Sequence, residues 1–190
     1  MEKKNMKNPF IVGEKVFLRA VEREDAELLM QCNNHPEVRY PFFIAFPVNI
    51  YQTSKEIEKL YESREYIPFI ICEKTTGRGV GITAFHRVDL VSRAAIYSIR
   101  IADSADWGRG FGSEVNRLMI EYGFEQLNLN RIQLHVYEGN SRALKSYEKA
   151  GFVKEGLLRQ AMYHNDEYCN FHVMGLLREE YYSKKTESNP

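Results

Sequence analysis

Cysteine is scarce in this 190-residue chain. Cys32, Cys72 and Cys169 are odd in number and widely spaced, which excludes both a paired disulfide framework and a CxxC metal site. A reducing, cytoplasmic setting is the expectation. Charge of one sign is missing as well, because 26 Lys+Arg balance 26 Asp+Glu for a formal net charge of zero. Nucleic acid and anionic membranes are therefore not expected partners, and any polyanion has to be met locally. No apolar run approaches the roughly 18 residues of a membrane span, and the charged opening Met1-Glu-Lys-Lys leads into no apolar stretch, so neither anchor nor export signal is expected. The histidines His35, His86, His135, His164 and His172 form no HxxxH or HExxH pattern, and no metal is expected. Repeats and low-complexity segments are absent.

What is present is apolar surface. Hydrophobic residues make up 44% and aromatics 13% of the chain, with 12 Tyr and 11 Phe, enough for one globular core. Length argues for a single domain over 15–182, between an N-terminal tail at 1–14 and a polar C-terminal tail at 183–190. A β-rich run from Val16 is followed by the acidic entry Glu22-Arg-Glu-Asp25 and by Ala26, Leu28, Leu29 and Cys32 at helical spacing. Pro36, Pro41 and Pro47 then punctuate a segment carrying Tyr40, Phe42, Phe43 and Phe46. A helix is predicted over 54–66, with Ile57, Leu60 and Tyr61 on one face, then strands near 68–73, 80–89 and 94–102. Next come a long helix with Phe111, Val115, Leu118, Met119 and Tyr122 on one face, a strand over 131–137, and a helix ending at Gly151. Two final strands, 152–162 and 168–176, flank a turn at 164–167. The order predicts an α/β domain with a mixed sheet.

Two segments carry chemistry. Trp107-Gly-Arg-Gly-Phe-Gly112 lies between a strand and a helix, where unpaired backbone N–H groups and the helix dipole can hold an anion without net positive charge. No Lys-Ser/Thr pair follows, so it is not a Walker A loop, and Glu114 and Val115 depart from the dinucleotide fingerprint. Taken by itself the loop fits a phosphate cradle or a plain tight turn. The second segment is Asn140-Ser-Arg-Ala-Leu-Lys-Ser-Tyr-Glu-Lys-Ala-Gly-Phe152.

A loop close to Gln/Arg-x-x-Gly-x-Gly/Ala at a helix head, then a strand, then Asn-x-x-Ala-x-x-x-Tyr-Glu-Lys-x-Gly-Phe, resembles the GNAT superfamily of acetyl-CoA-dependent N-acetyltransferases. The opening Leu18-Arg-Ala-Val-Glu-Arg-Glu-Asp25 and the closing Glu155-Gly156 and Asn165-Asp-Glu-Tyr168 are similar to the branch of ribosomal-protein N-terminal and spermidine acetyltransferases. The likeness spans about 15–180. It implies a V-shaped mixed sheet of about seven strands flanked by helices, splayed between the strands ending near Ala102 and Tyr137, with acetyl-CoA as co-substrate in the splay. Its pantetheine arm would pair with the backbone at Ile99, Ile101 and Ala102. Trp107, Gly108, Arg109, Gly110, Phe111, Gly112 and Ser113 would hold the pyrophosphate. Asn140 would touch the cofactor, and Tyr147 would stand near its sulfur as the catalytic residue; a core aromatic is the plainer role for Tyr147.

The resemblance fails at one important place. Relatives often carry a Glu ten residues before the position of Trp107, and here Tyr97 stands there, so no carboxylate base carries over. Asp89, Asp103 and Asp106 are nearby acids to which no motif assigns that role. A lysine-like amine with pKa about 10.4 is only roughly one part in 10³ neutral at pH 7, a cost of about 4–5 kcal/mol, whereas an α-amine near 8 costs about 1 kcal/mol. A protein N-terminal α-amine, that of a ribosomal protein for example, is therefore the expected acceptor. A small amine (polyamine, amino sugar or aminoglycoside) is the alternative, with an acidic wall supplied by Glu22, Glu37 or Glu167. A non-catalytic acyl-CoA-binding module is a third reading. Full proton transfer from a phenol at about 10 to a thiolate at about 8.5 is uphill by about 2 kcal/mol, so Tyr147 is expected to stabilise the leaving sulfur by hydrogen bonding. Cysteine is not expected as a nucleophile. Acceptor binding is assigned to Tyr40 and Phe43 with the turn at 164–168; capping of the core or a homodimer contact is the other use of these aromatics.

Overall fold

The computed structural model describes residues 6–60 and 62–187, without the side chains of His164 and Glu187. The opening residues 1–5 and Tyr61 lie outside the described residues. Element order is β1 (Ile11–Val12), β2 (Val16–Arg19), α1 (Ala26–Asn34), α2 (Pro36–Arg39), α3 (Ile50–Leu60), β3 (Ile67–Glu73), β4 (Gly79–Asp89), β5 (Ala94–Ile101), α4 (Phe111–Glu121), β6 (Arg131–Tyr137), α5 (Ser141–Ala150), β7 (Val153–His164), β8 (Glu167–Leu177) and α6 (Arg178–Glu187). The strands form one sheet in the order β1-β2-β3-β4-β5-β6-β8-β7. Only β5 and β6 run parallel; the other pairs are antiparallel.

Side-chain alternation explains the layers. Along β2 and β3, Leu18 and Ile71 face the larger core under α4 and α5, with Val115, Met119, Leu144 and Phe152. Phe17, Ile70 and Cys72 face the other way, onto Leu29 and Cys32 of α1 and Ile57 of α3. Both faces of this part of the sheet are thus covered, which is why its strands read as nearly continuous apolar runs.

Several boundaries differ from the sequence expectation, each for a local reason. The sheet has eight strands rather than about seven, because the two-residue β1 pairs with β2 inside the segment read as an N-terminal tail. A pair of residues shows no period. Helix α3 starts at Ile50, four residues early, because Asn49 and Gln52 cap each other reciprocally: the Gln52 N–H donates to Asn49 Oδ1 at 2.9 Å and the Asn49 N–H to Gln52 Oε1 at 3.0 Å. Pro36 opens the short α2 instead of breaking structure, since proline suits a first helical turn. Helix α6 runs through the start of the segment read as a C-terminal tail, with Tyr181 stacked on Phe124 at 5.2 Å between ring centres.

Candidate active site

The sheet splits at its one parallel junction. Strands β5 and β6 pair only at Ala94 with Arg131, Ala95 with Ile132 and Ile96 with Gln133. Past Ile96 they diverge, and a cleft of about 700 Å³ opens between Ile99, Arg100 and Ile101 on one arm and His135, Val136 and Tyr137 on the other. The edge of β5 that faces β6 therefore has main-chain groups without a strand partner, which is what an extended amide-bearing ligand needs.

At the mouth of the cleft the glycine loop enters α4. Gly108 and Gly110 have φ of 76° and 87°, the left-handed region that glycine enters without a Cβ penalty. Gly110 precedes the first helical residue and no side chain caps it, so the first-turn N–H groups are left for a ligand. A Cβ at Gly112 would meet nothing within 4 Å, so that face of the turn is open. Below the loop, Arg109 donates to Asp106 at 2.6 Å and to Glu73, while Arg78 donates to Asp106 at 2.8 Å. The hydrogen bond from Arg78 is the main reason the Asp106 carboxyl is held below the usual carboxylate range; for Glu73 it is the one from Thr76. The guanidinium of Arg109 is consumed in these pairs, and Lys15 Nζ ties its carbonyl at 3.1 Å.

Helix α5 supplies the opposite wall. Asn140 caps it, accepting the Ala143 N–H at 3.1 Å, and Gly151 closes it at φ 107°. Arg142, Lys145 and Lys149, at i, i+3 and i+7, line the cleft, and Arg142 stacks on Trp107 with its guanidinium 3.8 Å from the ring centre. Tyr147 lies deeper, edge-on to Tyr97 at 6.3 Å and to Phe152 at 5.9 Å. Its hydroxyl makes no hydrogen bond among the described residues, and burial pushes its pKa well above the ordinary phenol value. Tyr97, standing where a carboxylate was looked for, is buried; its hydroxyl donates to Asn116 Oδ1 at 2.7 Å, and Asn116 Nδ2 donates to Ser146 Oγ at 3.0 Å. That chain ties β5, α4 and α5 together beneath Tyr147.

Most residues singled out from sequence meet at this cleft: Ile99, Ile101, Trp107, Gly108, Gly110, Phe111, Gly112, Ser113, Asn140 and Tyr147 line it. Four do not. Ala102 is buried with its N–H given to Val80 O at 2.9 Å, and Arg109 is held in the ion pairs described above. Phe43, at φ 55°, packs its ring on Tyr137 and Phe171 at 5.2 and 5.1 Å instead of facing the cavity. Tyr40 is also outside the lining; Val38, Pro41 and Phe42 take its place. The cause is the turn at Tyr40–Phe42, which points the middle of the segment inward. Of the acids considered earlier, only Asp106 is in the wall; Asp89 accepts the N–H groups of Val91 and Ser92 at 2.8 and 3.0 Å, and Asp103 caps the turn before the loop. Glu22, Glu37 and Glu167 are not in the lining. Sequence reading missed Arg142, Lys145 and Lys149, whose one-face spacing was visible, and Arg100, Asn116, Ser146, Leu158, Met162 and Phe171, which carried no signal.

A splayed mixed sheet with an uncapped helix start on one lip and a basic helix face on the other fits a phosphate-headed, amide-bearing thioester. The acetyltransferase (GNAT) domain model matches residues 15–153, and the chain belongs to this family. It is an acetyl-CoA-dependent N-acetyltransferase whose acceptor is an amine. It is 31% identical over 171 residues to an uncharacterised N-acetyltransferase, p20, of Bacillus licheniformis, covering 88% of this chain and 96% of that one. It is 27% identical over 176 residues to a spermidine N(1)-acetyltransferase of Vibrio cholerae, covering 91% and 99%. The solved structure of a spermidine N-acetyltransferase from Vibrio cholerae in complex with CoA and spermine superposes with a TM-score of 0.84 at 25% identity, covering 90% of this chain and 99% of that one. Among the described residues no helix is long and apolar enough to cross a membrane, and no cluster of potential metal ligands occurs.

Proposed function

We propose that the chain transfers acetyl directly from acetyl-CoA to a small amine, with both substrates held in the splay cleft. The observation that carries this reading is the unspent hydroxyl of Tyr147, buried in the wall that runs from the open turn at Gly112 to the aromatic recess at Phe42 and Phe171. The first-turn N–H groups of α4 and the cations Arg142, Lys145 and Lys149 hold the phosphates. The free edge of β5 at Ile99 and Ile101 pairs with the pantetheine amides. Acetyl-CoA supplies an activated carbonyl with a thiolate leaving group. The neutral amine's nitrogen bonds to the acetyl carbon as the carbon–sulfur bond breaks, the O–H of Tyr147 donates a hydrogen bond to the departing thiolate, and the surplus proton on nitrogen passes to solvent, from which the CoA thiolate is reprotonated. Because burial raises the phenol, transferring its proton outright is costlier still than in water, so Tyr147 acts as a donor and not as an acid.

The small-amine acceptor is favoured over a protein N-terminus, the first expectation from sequence, on two grounds. The acceptor end, between the α2 turn and the β7–β8 pair, is lined by the apolar side chains Phe42, Leu158, Met162 and Phe171 and offers no row of polar groups along which a peptide backbone could pair. The solved relative described above binds spermine, a small amine. None of the three cysteines lines the cleft, and the buried Cys32 has its thiol pushed up to about 11 by that burial, which suppresses the thiolate an acyl-enzyme would need. The test is thiol release from acetyl-CoA with small amines and with a free-N-terminal peptide side by side; faster turnover of the peptide would overturn the reading.

A further inference from the structure

Resting on the small-amine reading, we infer that the acceptor is a monoamine with an aromatic or apolar body and not a polyamine. A polycation needs an anion for its second charge, because an unpaired ammonium taken out of water is costly. Among the described residues no carboxylate other than that of Asp106 lines the cleft, and Glu167, whose charge is felt at Tyr137, stands outside the lining. Asp106, the one carboxylate in the wall of the cleft among the described residues, lies under the glycine loop and is shared between Arg78 and Arg109. The segment that forms the near wall, residues 33–50, contains a single acid, Glu37, beside the bases His35 and Arg39, with Pro41 and Phe42 presented to the cavity.

A cation is already in place instead. Arg100 lines the recess, donates to the neutral Asn33 Oδ1 and lies 5.5 Å from the centre of the Phe42 ring. It has no carboxylate partner among the described residues. Its charge is felt at the neighbouring His86, whose pKa is lowered first by burial and then by Arg100. A second ammonium reaching toward this wall meets the charge of Arg100 with no carboxylate in the lining to offset it, whereas an aryl or alkyl body packs on Phe42, Tyr137 and Phe171. The recess therefore discriminates by what it lacks as much as by what it holds.

The experiment compares kcat/KM at saturating acetyl-CoA for 2-phenylethylamine, spermidine and a tripeptide with a free N-terminus. The expected result is a preference of ~10-fold or more for 2-phenylethylamine over spermidine, the scale of one unpaired charge partly relieved by solvent. Phe42 is 40% exposed, so Phe42→Glu should fold, and it should shrink or invert that preference by supplying the missing anion. Spermidine used as well as or better than 2-phenylethylamine by the wild type overturns the inference while leaving the small-amine reading intact. Preference for the tripeptide, or no turnover of any amine by protein that still binds acetyl-CoA, overturns the small-amine reading and the inference with it.

Discussion

The two ends of the cleft are built on opposite plans. At the end proposed to hold the phosphates, main-chain groups and ion pairs set the geometry: a glycine turn, an uncapped helix start, and Asp106 and Glu73 locking Arg109 from below. At the end proposed to hold the acceptor, side chains on three separate elements meet across the splay, with Phe42, Tyr137 and Phe171 as its aromatic surface. A main-chain site tolerates few changes because its donors are fixed by the turn, while a wall of side chains can change residue by residue without disturbing the fold. The lesson is that cofactor use is read from local sequence, whereas acceptor choice is read only from what tertiary packing brings together.

Substitutions at the two ends should separate cleanly, beginning at their junction. Tyr147→Phe keeps the ring's packing and removes the donor, so kcat should fall by ~10²-fold with the KM for acetyl-CoA changed less than about twofold. Steady-state thiol-release kinetics read both; an unchanged kcat would make Tyr147 a packing residue. Phe43→Ala, at a ring that is 8% exposed and wedged against Tyr137 and Phe171, should cost ~3 kcal/mol of stability in urea unfolding, the usual price of a buried phenyl ring. Gly112→Glu places a carboxylate where a Cβ meets nothing within 4 Å. It should leave the melting temperature unchanged and weaken acetyl-CoA binding by ~30-fold in calorimetry, about 2 kcal/mol. Gly110 is the poorer test, since its φ of 87° would strain any side chain. Phe42→Ala should raise the amine KM by ~5-fold and leave the acetyl-CoA KM alone, a loss of about 1 kcal/mol in one aromatic contact. With burial raising the Tyr147 phenol, that group stays protonated to beyond its ordinary value of about 10. The kcat/KM for the amine should then rise with pH as the acceptor loses its proton, with no falling limb below about pH 10; an earlier decline would mean that the phenol ionises within that range.

The asymmetry between the ends also explains how much could be read in advance. The strand and helix order, the glycine loop and the stop at Gly151 all rest on backbone chemistry that one residue type announces, and each was legible, whereas Asn140 was singled out for the cofactor and its capping of α5 was not read. So was the splay, through the motif resemblance, at the junction where pairing stops after Ile96 and Gln133. The start of α3 was missed because its signal is a reciprocal pair, Asn49 with Gln52, lying before the apolar period begins. Arg109 was expected at the cofactor through the loop's backbone, and nothing local reveals that its guanidinium would pair with Glu73, 36 residues away. In the same way Phe42 and Phe43 are adjacent and chemically alike, yet one lines the recess and the other is buried, because a left-handed residue at Phe43 reverses the chain there.

The proposed function requires that both substrates occupy one cleft together and that acetyl passes between them without an enzyme-bound intermediate. Initial rates of thiol release, measured over a matrix of acetyl-CoA concentrations and concentrations of the best amine, test it most directly. Intersecting double-reciprocal lines, with no burst of free CoA when the amine is left out, are the expected result. Parallel lines, or a stoichiometric burst of CoA in the absence of amine, would contradict it.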